Sequence, residues 1–501
     1  MALFIDNTNR LIIPSWRTFD KSLSELTPVR QYKHPAQKGD IQEYVIEWKE
    51  NRNVITAGEL ISAALVNGLT EEPAVLEAAK FVVESPLKVP MALANASKGI
   101  LSIPLPPDID PTVQFPIYVK IAKLKKLLTN YPTSAVLHIE IARLYMLLGQ
   151  LEMAECHINT ALYFDKNNRF VVRAAARYFI HREDDEKAVE VLRKSELTKI
   201  DPWLMASEIS VSRKLEKRSP NMKRATQIID SKNFSNFDLS ELCGTIGMEE
   251  LENGAFKKSR KLFNQSLTAA NDNSLAQAQW VSRNRNLALA FPDAPINAHY
   301  KEALSYDKFF SGDYKSSLQY AIEWHEEVPY SLKCAMFGSG IATTYLKDYK
   351  KSIRILSEYL LTNQRSKAAL NDLAYAYALN NDVVNAQKRI DVAAKEIDYN
   401  HLEEVDICLV ATQGLILFRT GDVDAGSRLY ENAIDVSRSL PRKEMLYTAQ
   451  LNYCNELLRH SNEDSNRLKV TNILNEIPDY PEGTPITVLR KEVEDKLQRT
   501  E

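Results

Sequence analysis

The stretch HIEIARLYMLLGQLEMAECHINTAL, residues 138–162, decides the fold. It contains two runs in which apolar residues recur at the three- and four-residue spacing of an amphipathic helix, and Gly149 separates the runs. Small residues lie inside both runs, at Ala142 in the first and at Ala154 and Ala161 in the second. We therefore predict two antiparallel helices that are joined by a short turn and packed closely where the small residues lie.

This arrangement of small residues returns along the chain. Neighbouring copies are separated by 34 residues three times and otherwise by 35, 37 and 40, with one wide gap of 58. The small residues that mark the second helix of each copy are Ala154, Ala188, Ala225, Ser259, Ser317, Ser352, Ala386 and Gly426. Those that precede them by twelve residues are Ala142, Ala176, Gly247, Ser305, Gly340, Ala374 and Gly414. A turn glycine stands five residues before the second-helix marker at Gly149, Gly254, Gly312 and Gly421. So regular a period indicates a helical repeat.

Two further copies show the pattern clearly: LNDLAYAYALNNDVVNAQKRIDVAA at 370–394 and VATQGLILFRTGDVDAGSRLYENAI at 410–434. With the first stretch, they resemble the tetratricopeptide repeat (TPR) family over about residues 135–434. The resemblance implies helical hairpins whose small residues let the two helices approach closely. The chain departs from the family near Pro220, where there is an insertion, and across 270–297, which is overlong.

We predict an all-α fold, a TPR-like α-solenoid (a right-handed superhelix of helical hairpins) with an N-terminal helical region. The predicted domains are residues 1–116, which end in a proline-rich linker at Ile103–Pro116, then residues 117–434, the solenoid of about eight units, some degenerate, and residues 435–501, the C-terminal capping helices. Proline lacks a backbone donor and disfavours helix, which places the linker. One hairpin cannot bury its own apolar face, so neighbouring hairpins stack.

Helices are also predicted outside the repeats. Residues 40–85 contain an apolar face at Ile41–Trp48, and Pro73 stands where a proline can begin a helix. Near the other end, Asn452–Leu458 and Leu468–Ile477 have the spacing of terminal helices. The chain has only 15 glycines in 501 residues, about 3% where roughly 7% is average, which also favours helix.

The composition limits the classes of partner that we expect. The net charge of −3 argues against a protein that binds nucleic acid through bulk charge, so we do not expect a nucleic-acid partner. The 5 cysteines form no C-x-x-C pair, and we expect buried, reduced thiols. The start MALFIDNTNR lacks the features of a signal peptide, and no apolar run approaches 18 residues. We therefore expect a cytoplasmic protein with no membrane partner.

Sequence motifs of enzymes are missing. There is no G-x-x-x-x-G-K-[ST], no G-x-G-x-x-G and no H-E-x-x-H, and none of the 8 histidines has the spacing of a metal-ligand pair. Gly338, Ser339 and Gly340 resemble a nucleophile elbow only superficially, because Phe337 takes the first glycine position and the stretch lies in a predicted helix. We expect no enzymatic activity, no cofactor and no metal.

Three arginines form one candidate site. The resemblance implies that positions 2, 5, 9 and 12 of the first helix face the groove, and Arg143, Arg173 and Arg177 take such positions. Arg173 and Arg177 lie four residues apart on one helix face. Together the three could bind a carboxylate or an acidic peptide, although the asparagines of the family's carboxylate clamp are absent. The alternative is an ordinary surface balanced by carboxylates of neighbouring helices.

Aromatic and amide residues form a second candidate surface further along the chain. Its groove positions are Tyr306, Phe309, Phe337, Ile341, Asn371 and Tyr375. Tyrosine offers rigid contact area with a hydrogen-bonding tip, which suits a peptide or a partner helix. The alternative, weighed equally, is that several of these residues pack into the core.

The function that we expect is a non-enzymatic protein–protein interaction scaffold that binds a partner protein or peptide in the concave groove. The resemblance also implies that the chain is the companion subunit of a bacterial effector or defence system. The alternative is a peptide-responsive sensor whose solenoid changes pitch when a ligand binds. Residues 40–85 lack the basic recognition helix that such sensors often contain, and the sequence leaves the oligomeric state open.

Overall fold

The structure is a computed structural model that describes residues 10–16, 41–67, 69–86, 89, 91–103, 111–231, 233–397, 403–441, 443–460 and 463–498. Within these ranges every regular element is helical, so the predicted all-α class is confirmed. The α-helices in chain order are α1 (Gln42–Glu50), α2 (Val54–Asn67), α3 (Pro73–Glu84), α4 (Met91–Ile100), α5 (Pro111–Asn130), α6 (Ala135–Leu147), α7 (Leu151–Phe164), α8 (Arg169–His181), α9 (Asp185–Lys194), α10 (Pro202–Lys214), α11 (Met222–Asp230), α12 (Asn236–Glu252), α13 (Phe256–Leu267), α14 (Asp272–Asn284), α15 (Lys301–Phe310), α16 (Tyr314–Glu327), α17 (Leu332–Gly340), α18 (Tyr349–Thr362), α19 (Lys367–Leu379), α20 (Val383–Ala394), α21 (Glu404–Thr420), α22 (Val423–Arg438), α23 (Glu444–His460), α24 (Asp464–Glu476) and α25 (Pro485–Gln498). A 3₁₀ turn at Glu196–Lys199 and a π-helical turn at Ile341–Tyr345 complete the described elements.

The repeat helices pack as consecutive pairs. Within a pair the first helix packs on the second, as α6 does on α7, α12 on α13 and α21 on α22. The first helix also contacts the first helix of the next pair, as α6 does α8, α10 does α12 and α19 does α21. Packing in both directions buries the apolar stripe that a single pair leaves open, which is the arrangement of a TPR-like solenoid.

The turn has the predicted register in every marked copy except the one with Ala225, where Pro220 takes the turn position. Positive φ angles between 68° and 93° occur at the four predicted turn glycines, Gly149, Gly254, Gly312 and Gly421. Three copies without a glycine place Glu183, Lys347 and Asn381 at the same position, with φ angles of 61°, 56° and 61°. The left-handed conformation is strained for residues with a Cβ, so these copies keep the turn at a conformational cost.

Within one repeat, the small residue of the first helix contacts the small residue of the second helix, and this close contact explains why both are small. The hydroxyl of Ser305 donates to the carbonyl oxygen of Ser317 at 2.9 Å, and that of Ser317 donates to Ser305 at 2.8 Å. At Gly426, an added Cβ would lie 2.9 Å from the carbonyl oxygen of Gly414. Real Cβ atoms do not come that close to a backbone oxygen, so the helices need these small residues.

The helices predicted within 40–85 are confirmed, and α1–α4 share an apolar core around the fully buried Trp48. Pro73 is the first residue of α3, as predicted. The predicted linker Ile103–Pro116 is wrong from Pro111 onward, because α5 begins there. Proline at the first helical position loses no intrahelical bond, so it begins this helix instead of preventing it. Residues 104–110 of that linker lie outside the described ranges.

The chain divides into two compact units within the predicted solenoid. One contains the described residues up to Ala303 and the other those from Leu304 onward, so α15 spans the boundary. The predicted helices at Asn452–Leu458 and Leu468–Ile477 are confirmed as parts of α23 and α24. A further helix, α25, packs on α23 and on the π-helical turn. The domain boundaries at 116 and 434 stay predictions.

Two expectations from composition can be compared with the structure. Four of the cysteines are buried as expected, but Cys156 is exposed on α7, so the expectation of a buried thiol is wrong there. None of the described helices is long and apolar enough to cross a membrane.

Candidate peptide groove

Residues 10–16, RLIIPSW, form no regular element and pack against helices of the first unit, and we call them the groove segment. Buried and less buried residues alternate along it: Arg10, Ile12, Pro14 and Trp16 are buried, whereas Leu11, Ile13 and Ser15 are not. A period of two is that of an extended chain, whose successive side chains point to opposite sides.

The apolar side of the segment joins the core of the repeat helices. Ile12 is fully buried in a cluster that includes Met205 and Ile209 of α10 and Cys243 and Ile246 of α12. Burial of one such side chain contributes about 2 kcal/mol. Helices α10 and α12 therefore provide an apolar floor for Ile12.

The backbone of the segment is held by two side-chain amides of α14. Nδ2 of Asn273 donates to the carbonyl oxygen of Ile13 at 3.0 Å, and Nε2 of Gln277 donates to that of Arg10 at 2.8 Å. The two amides share a helix face because they lie four residues apart. Every peptide has such carbonyl groups, so these bonds recognise an extended chain independently of its sequence.

The guanidinium group of Arg10 is bound by an acidic partner. Its Nε and Nη2 donate to Oε1 and Oε2 of Glu302 at 3.0 and 2.9 Å, and Nη2 also donates to Oδ1 of Asn273 at 2.7 Å. The side chains of Arg10 and Glu302 are only 7% and 9% exposed. A bidentate pair of this kind selects a guanidinium in geometry as well as in charge. We call Asn273, Gln277, Glu302 and the apolar floor of α10 and α12 the peptide groove.

Arg173 contributes to the peptide groove indirectly, through Glu241. It donates to both carboxylate oxygens of Glu241 at 2.8 and 3.1 Å, and its guanidinium lies 5.0 Å from the ring centre of Trp203. Oε1 of Glu241 in turn accepts from Nδ2 of Asn273 at 3.2 Å and from Nδ2 of Asn271 at 3.0 Å. Arg173 thus orients Asn273 through Glu241, and direct capture of a ligand by Arg173 stays a prediction.

The other two arginines lie elsewhere. Arg143 is buried on α6 and donates to Oε2 and Oε1 of Glu140 at 3.1 and 2.8 Å, while Arg177 is half-buried on α8. Burial raises the pKa of Glu140, but Arg143 and Lys120 outweigh burial and hold this pKa below its ordinary value. Arg143 and Arg173 therefore bind different carboxylates of their own chain, Glu140 on the same helix and Glu241 on another, and a shared site of the three arginines stays a prediction.

Tyr306 and Phe309 belong to an aromatic cluster in the second unit. Their ring centres lie 4.8 and 5.4 Å from that of Phe337, and Tyr306 is 2% exposed. Nζ of Lys333 lies 5.3 Å from the ring centre of Tyr306. The cluster therefore packs as core, and contact between a partner and these two residues stays a prediction.

Asn371 and Tyr375 are both buried on α19. The hydroxyl of Tyr375 donates to Oδ1 of Asn452 at 2.5 Å, and Oδ1 of Asn371 accepts from the hydroxyl of Thr412 at 2.8 Å. Burial holds the pKa of Tyr375 well above its ordinary value. The partner of Asn371 lies on α21 and that of Tyr375 on α23, so both side chains join α19 to later pairs, and their binding role stays a prediction.

Two histidines are in contact, although their spacing in the sequence does not predict this contact. Nδ1 of His138 on α6 lies 2.9 Å from Nδ1 of His157 on α7. Burial lowers the pKa of His157 to about 4, with the positive charge of His138 as a smaller cause. In the part of the chain that the structure describes, no three His, Cys, Asp or Glu side chains are placed to hold a metal ion.

Cys334, His325 and Glu358 are arranged like a nucleophile, a base and an acid. Sγ of Cys334 lies 3.5 Å from Nδ1 of His325, and Nε2 of His325 lies 3.4 Å from Oε2 of Glu358. The thiol is 0% exposed and also donates to the carbonyl oxygen of Ser331. A substrate cannot reach a fully buried thiol, so we assign this trio to the core.

The sequence did not single out the groove residues. Asn273, Gln277 and Glu302 lie in or beside the overlong stretch 270–297, where the repeat pattern fails. One available signal was the pair of amides four residues apart on a helix. The other was the alternation at Ile12, Pro14 and Trp16, in a region without helical periodicity.

Comparison with known proteins adds little. No protein-family model and no curated protein matches the chain. Among solved structures, yeast Tom70 is similar with 12% identity over 92% of both chains and a TM-score of 0.30. The APC/C hetero-tetramer Cut9–Hcn1 is similar with 10% identity, over 91% of this chain and 93% of that one, and a TM-score of 0.40. The P58(IPK) TPR domain covers 73% of this chain and 90% of its own, with 13% identity and a TM-score of 0.20. Similarity at this level does not indicate what the chain binds.

Proposed function

We propose that this chain is a divergent TPR protein that acts as a non-enzymatic scaffold and binds an extended segment of a partner protein in the peptide groove. One observation supports this most directly: the groove already binds an extended peptide, residues 10–16, through Asn273 and Gln277. Amide side chains that bond peptide carbonyls are suited to holding a polypeptide.

In the first step of the test, the tagged full chain is purified from its native source. Any protein that co-purifies in a fixed molar ratio to the chain is then identified. The complex is then rebuilt from the purified chains. A photo-reactive phenylalanine replaces Phe237, which is 43% exposed at the start of first helix α12, or Phe256, which is 61% exposed at the start of second helix α13. These two positions are matched in residue type and in place within their helices.

We expect the partner to be cross-linked through position 237 and not through position 256. The proposal fails if no protein is present in a fixed ratio. It also fails if cross-linking occurs only through position 256, since the partner would then bind the second helices.

The finer proposal, that the partner is the effector enzyme of a bacterial defence or stress system, is supported by the sequence resemblance alone. Mass spectrometry of the purified complex tests it, because the partner should then contain catalytic motifs. A partner that has no catalytic domain contradicts this finer proposal and leaves the scaffold in place.

The alternative function is a peptide-responsive sensor, and the same groove segment favours it, since a signalling peptide could replace residues 10–16. Small-angle scattering of the full chain with and without a saturating peptide distinguishes the two functions. A change in the radius of gyration supports the sensor, and an unchanged radius together with stable partner binding supports the scaffold.

A further inference from the structure

The groove segment is bound by contacts that another polypeptide could make equally well. The carbonyl groups of Arg10 and Ile13 accept bonds from side chains of α14, and every peptide offers such groups. Other contacts of the segment include the pairing of the Arg10 guanidinium with Glu302 and the packing of Ile12 on the apolar floor of α10 and α12. The surface beneath the segment therefore has the properties of a peptide-binding site.

The segment also shows which side chains such a site selects. Arg10 is paired with Glu302 and Asn273, Ile12 is fully buried in the apolar cluster, and Trp16 is 0% exposed. Pro14 is buried between them. Proline fixes φ in a range compatible with an extended chain, which lowers the entropy lost on binding. The four buried positions, each two residues apart, read Arg-x-aliphatic-x-Pro-x-aromatic.

The charge of the site favours a basic anchor. Glu302 lies in the groove, and Glu241 lies directly behind Asn273. Arg173 already compensates the charge of Glu241, so Glu302 is the carboxylate that the occupant pairs with. Glu302 is buried and forms a bidentate pair with Arg10, so a guanidinium at this position of the occupant favours binding.

We propose that the peptide groove binds a partner segment with the pattern Arg-x-aliphatic-x-Pro-x-aromatic, and that residues 10–16 occupy the groove in cis and compete with that partner. This inference rests on the proposed function and names the partner chemistry and its regulation. Since the cis segment is on the same chain, its effective concentration is high and the partner must displace it. A partner segment therefore binds in the groove only if it makes the same contacts as residues 10–16.

The test uses the full chain and a fluorescent synthetic peptide with the sequence of residues 10–16, RLIIPSW. Arg10→Glu combined with Ile12→Asp removes the cis segment from the groove, because Glu302 repels the new carboxylate and the apolar floor cannot accept an aspartate. Ser15→Asp is the control, since it adds a charge at an exposed position of the same segment. Fluorescence anisotropy gives the Kd for each chain.

We expect the opened double variant to bind the peptide at least ten-fold more tightly than the wild type or Ser15→Asp. Adding Asn273→Ala to the opened variant should weaken binding again, and a scrambled peptide should not bind. If the opened variant keeps its helices but does not bind the peptide, residues 10–16 are permanent core and the proposal is overturned.

A second measurement applies if the double variant does not fold. In the wild type, a large excess of free peptide should raise hydrogen exchange within residues 10–16 and leave exchange in α10 and α14 unchanged. No increase overturns the proposal. A wild-type dimer by light scattering whose segments are cross-linked between copies overturns cis occupancy, because the occupant is then a second copy of the chain.

The outcomes separate this inference from the proposed function. A protein that co-purifies and is cross-linked at position 237, but lacks the pattern, supports the scaffold and overturns the inference. Tight peptide binding by the opened variant without any co-purifying protein supports the site and contradicts the scaffold.

Discussion

Gln277 of α14 donates to the carbonyl oxygen of Arg10 across 267 residues of sequence, and a glycine in another helix makes this possible. Gly244 of α12 faces the Gln277 side chain so closely that a Cβ at position 244 would collide with Oε1 of Gln277. The missing side chain of one helix thus leaves the space in which the amide of another helix holds the groove segment.

Gly244→Ala should therefore loosen the groove segment. The new methyl group must displace the Gln277 amide, and overpacking of this kind costs about 1–2 kcal/mol. In an ordinary helix the same substitution stabilises by roughly 1 kcal/mol, which offsets much of that cost. We expect faster hydrogen exchange in residues 10–16 and no gain in melting temperature.

The control for this prediction is the same substitution in a Gln277→Ala background. With the longer side chain gone, Gly244→Ala has space and should be neutral or stabilising. Equal destabilisation in both backgrounds would show that the collision with Gln277 is not the cause.

Glu183→Gly should stabilise the first unit. Glu183 is exposed and has a φ of 61° at the turn position where other copies have glycine. Relief of left-handed strain is worth about 1–2 kcal/mol, and the added freedom of glycine in the unfolded chain offsets part of it, so we expect a net gain of about 0.5 kcal/mol. A shift of the denaturant midpoint to higher concentration measures this gain.

Asn381→Gly is the matched comparison for the turn. Asparagine tolerates the left-handed conformation, and Oδ1 of Asn381 accepts from Arg419 at 3.0 Å. This substitution should therefore bring no gain. If Glu183→Gly lowers the midpoint, the strain argument is wrong.

The repeat could be predicted from the sequence because its determinants are local. A turn that needs positive φ favours glycine, and helices in close contact need small residues at Gly414 and Gly426. Both requirements appear at fixed spacing within one hairpin. A reader of the sequence can therefore place turns and pairs without knowing the rest of the fold.

The groove could not be predicted in the same way because its partners are distant in sequence. Arg173 meets Glu241 across 68 residues, and Arg10 meets Glu302 across 292 residues. Helix periodicity shows on which face of its helix an arginine lies. Which carboxylate the arginine contacts depends on how several helix pairs pack. The sequence therefore makes Arg173 a candidate for binding a ligand, but it does not predict that Arg173 lies behind Asn273.

Gly426→Ala should destabilise the second unit. The added Cβ would lie 2.6 Å from Cδ2 of Phe418 and 2.9 Å from the carbonyl oxygen of Gly414. The two helices must separate to accept it, which we expect to cost about 2 kcal/mol despite the better helix propensity of alanine. Arg428→Ala, at an exposed position two residues later, should change the thermal midpoint little. A neutral Gly426→Ala would mean that α21 and α22 can move apart freely.

Acid should destabilise the first unit through His157. Burial lowers the pKa of His157 from 6.5 to about 4 in the folded chain, whereas the unfolded chain keeps a value near 6.5. Between pH 6.5 and 4 the unfolded state therefore binds the additional proton, so the free energy of unfolding falls as the pH is lowered through this window. His157 is partly exposed, and after allowance for solvent screening we expect a loss of about 1–2 kcal/mol.

The comparison of two variants isolates this contribution from that of carboxylates, which also titrate in acid. His157→Gln cannot take up a proton, so its denaturant midpoint should fall less steeply than that of the wild type between pH 6.5 and 4. His299→Gln removes an exposed histidine and should keep the wild-type slope. Since Nδ1 of His138 lies 2.9 Å from Nδ1 of His157, protonation of both rings would place two positive charges in contact, so His138→Gln should flatten the profile as well. Parallel profiles for all four chains would show that the histidine pair does not contribute to acid sensitivity.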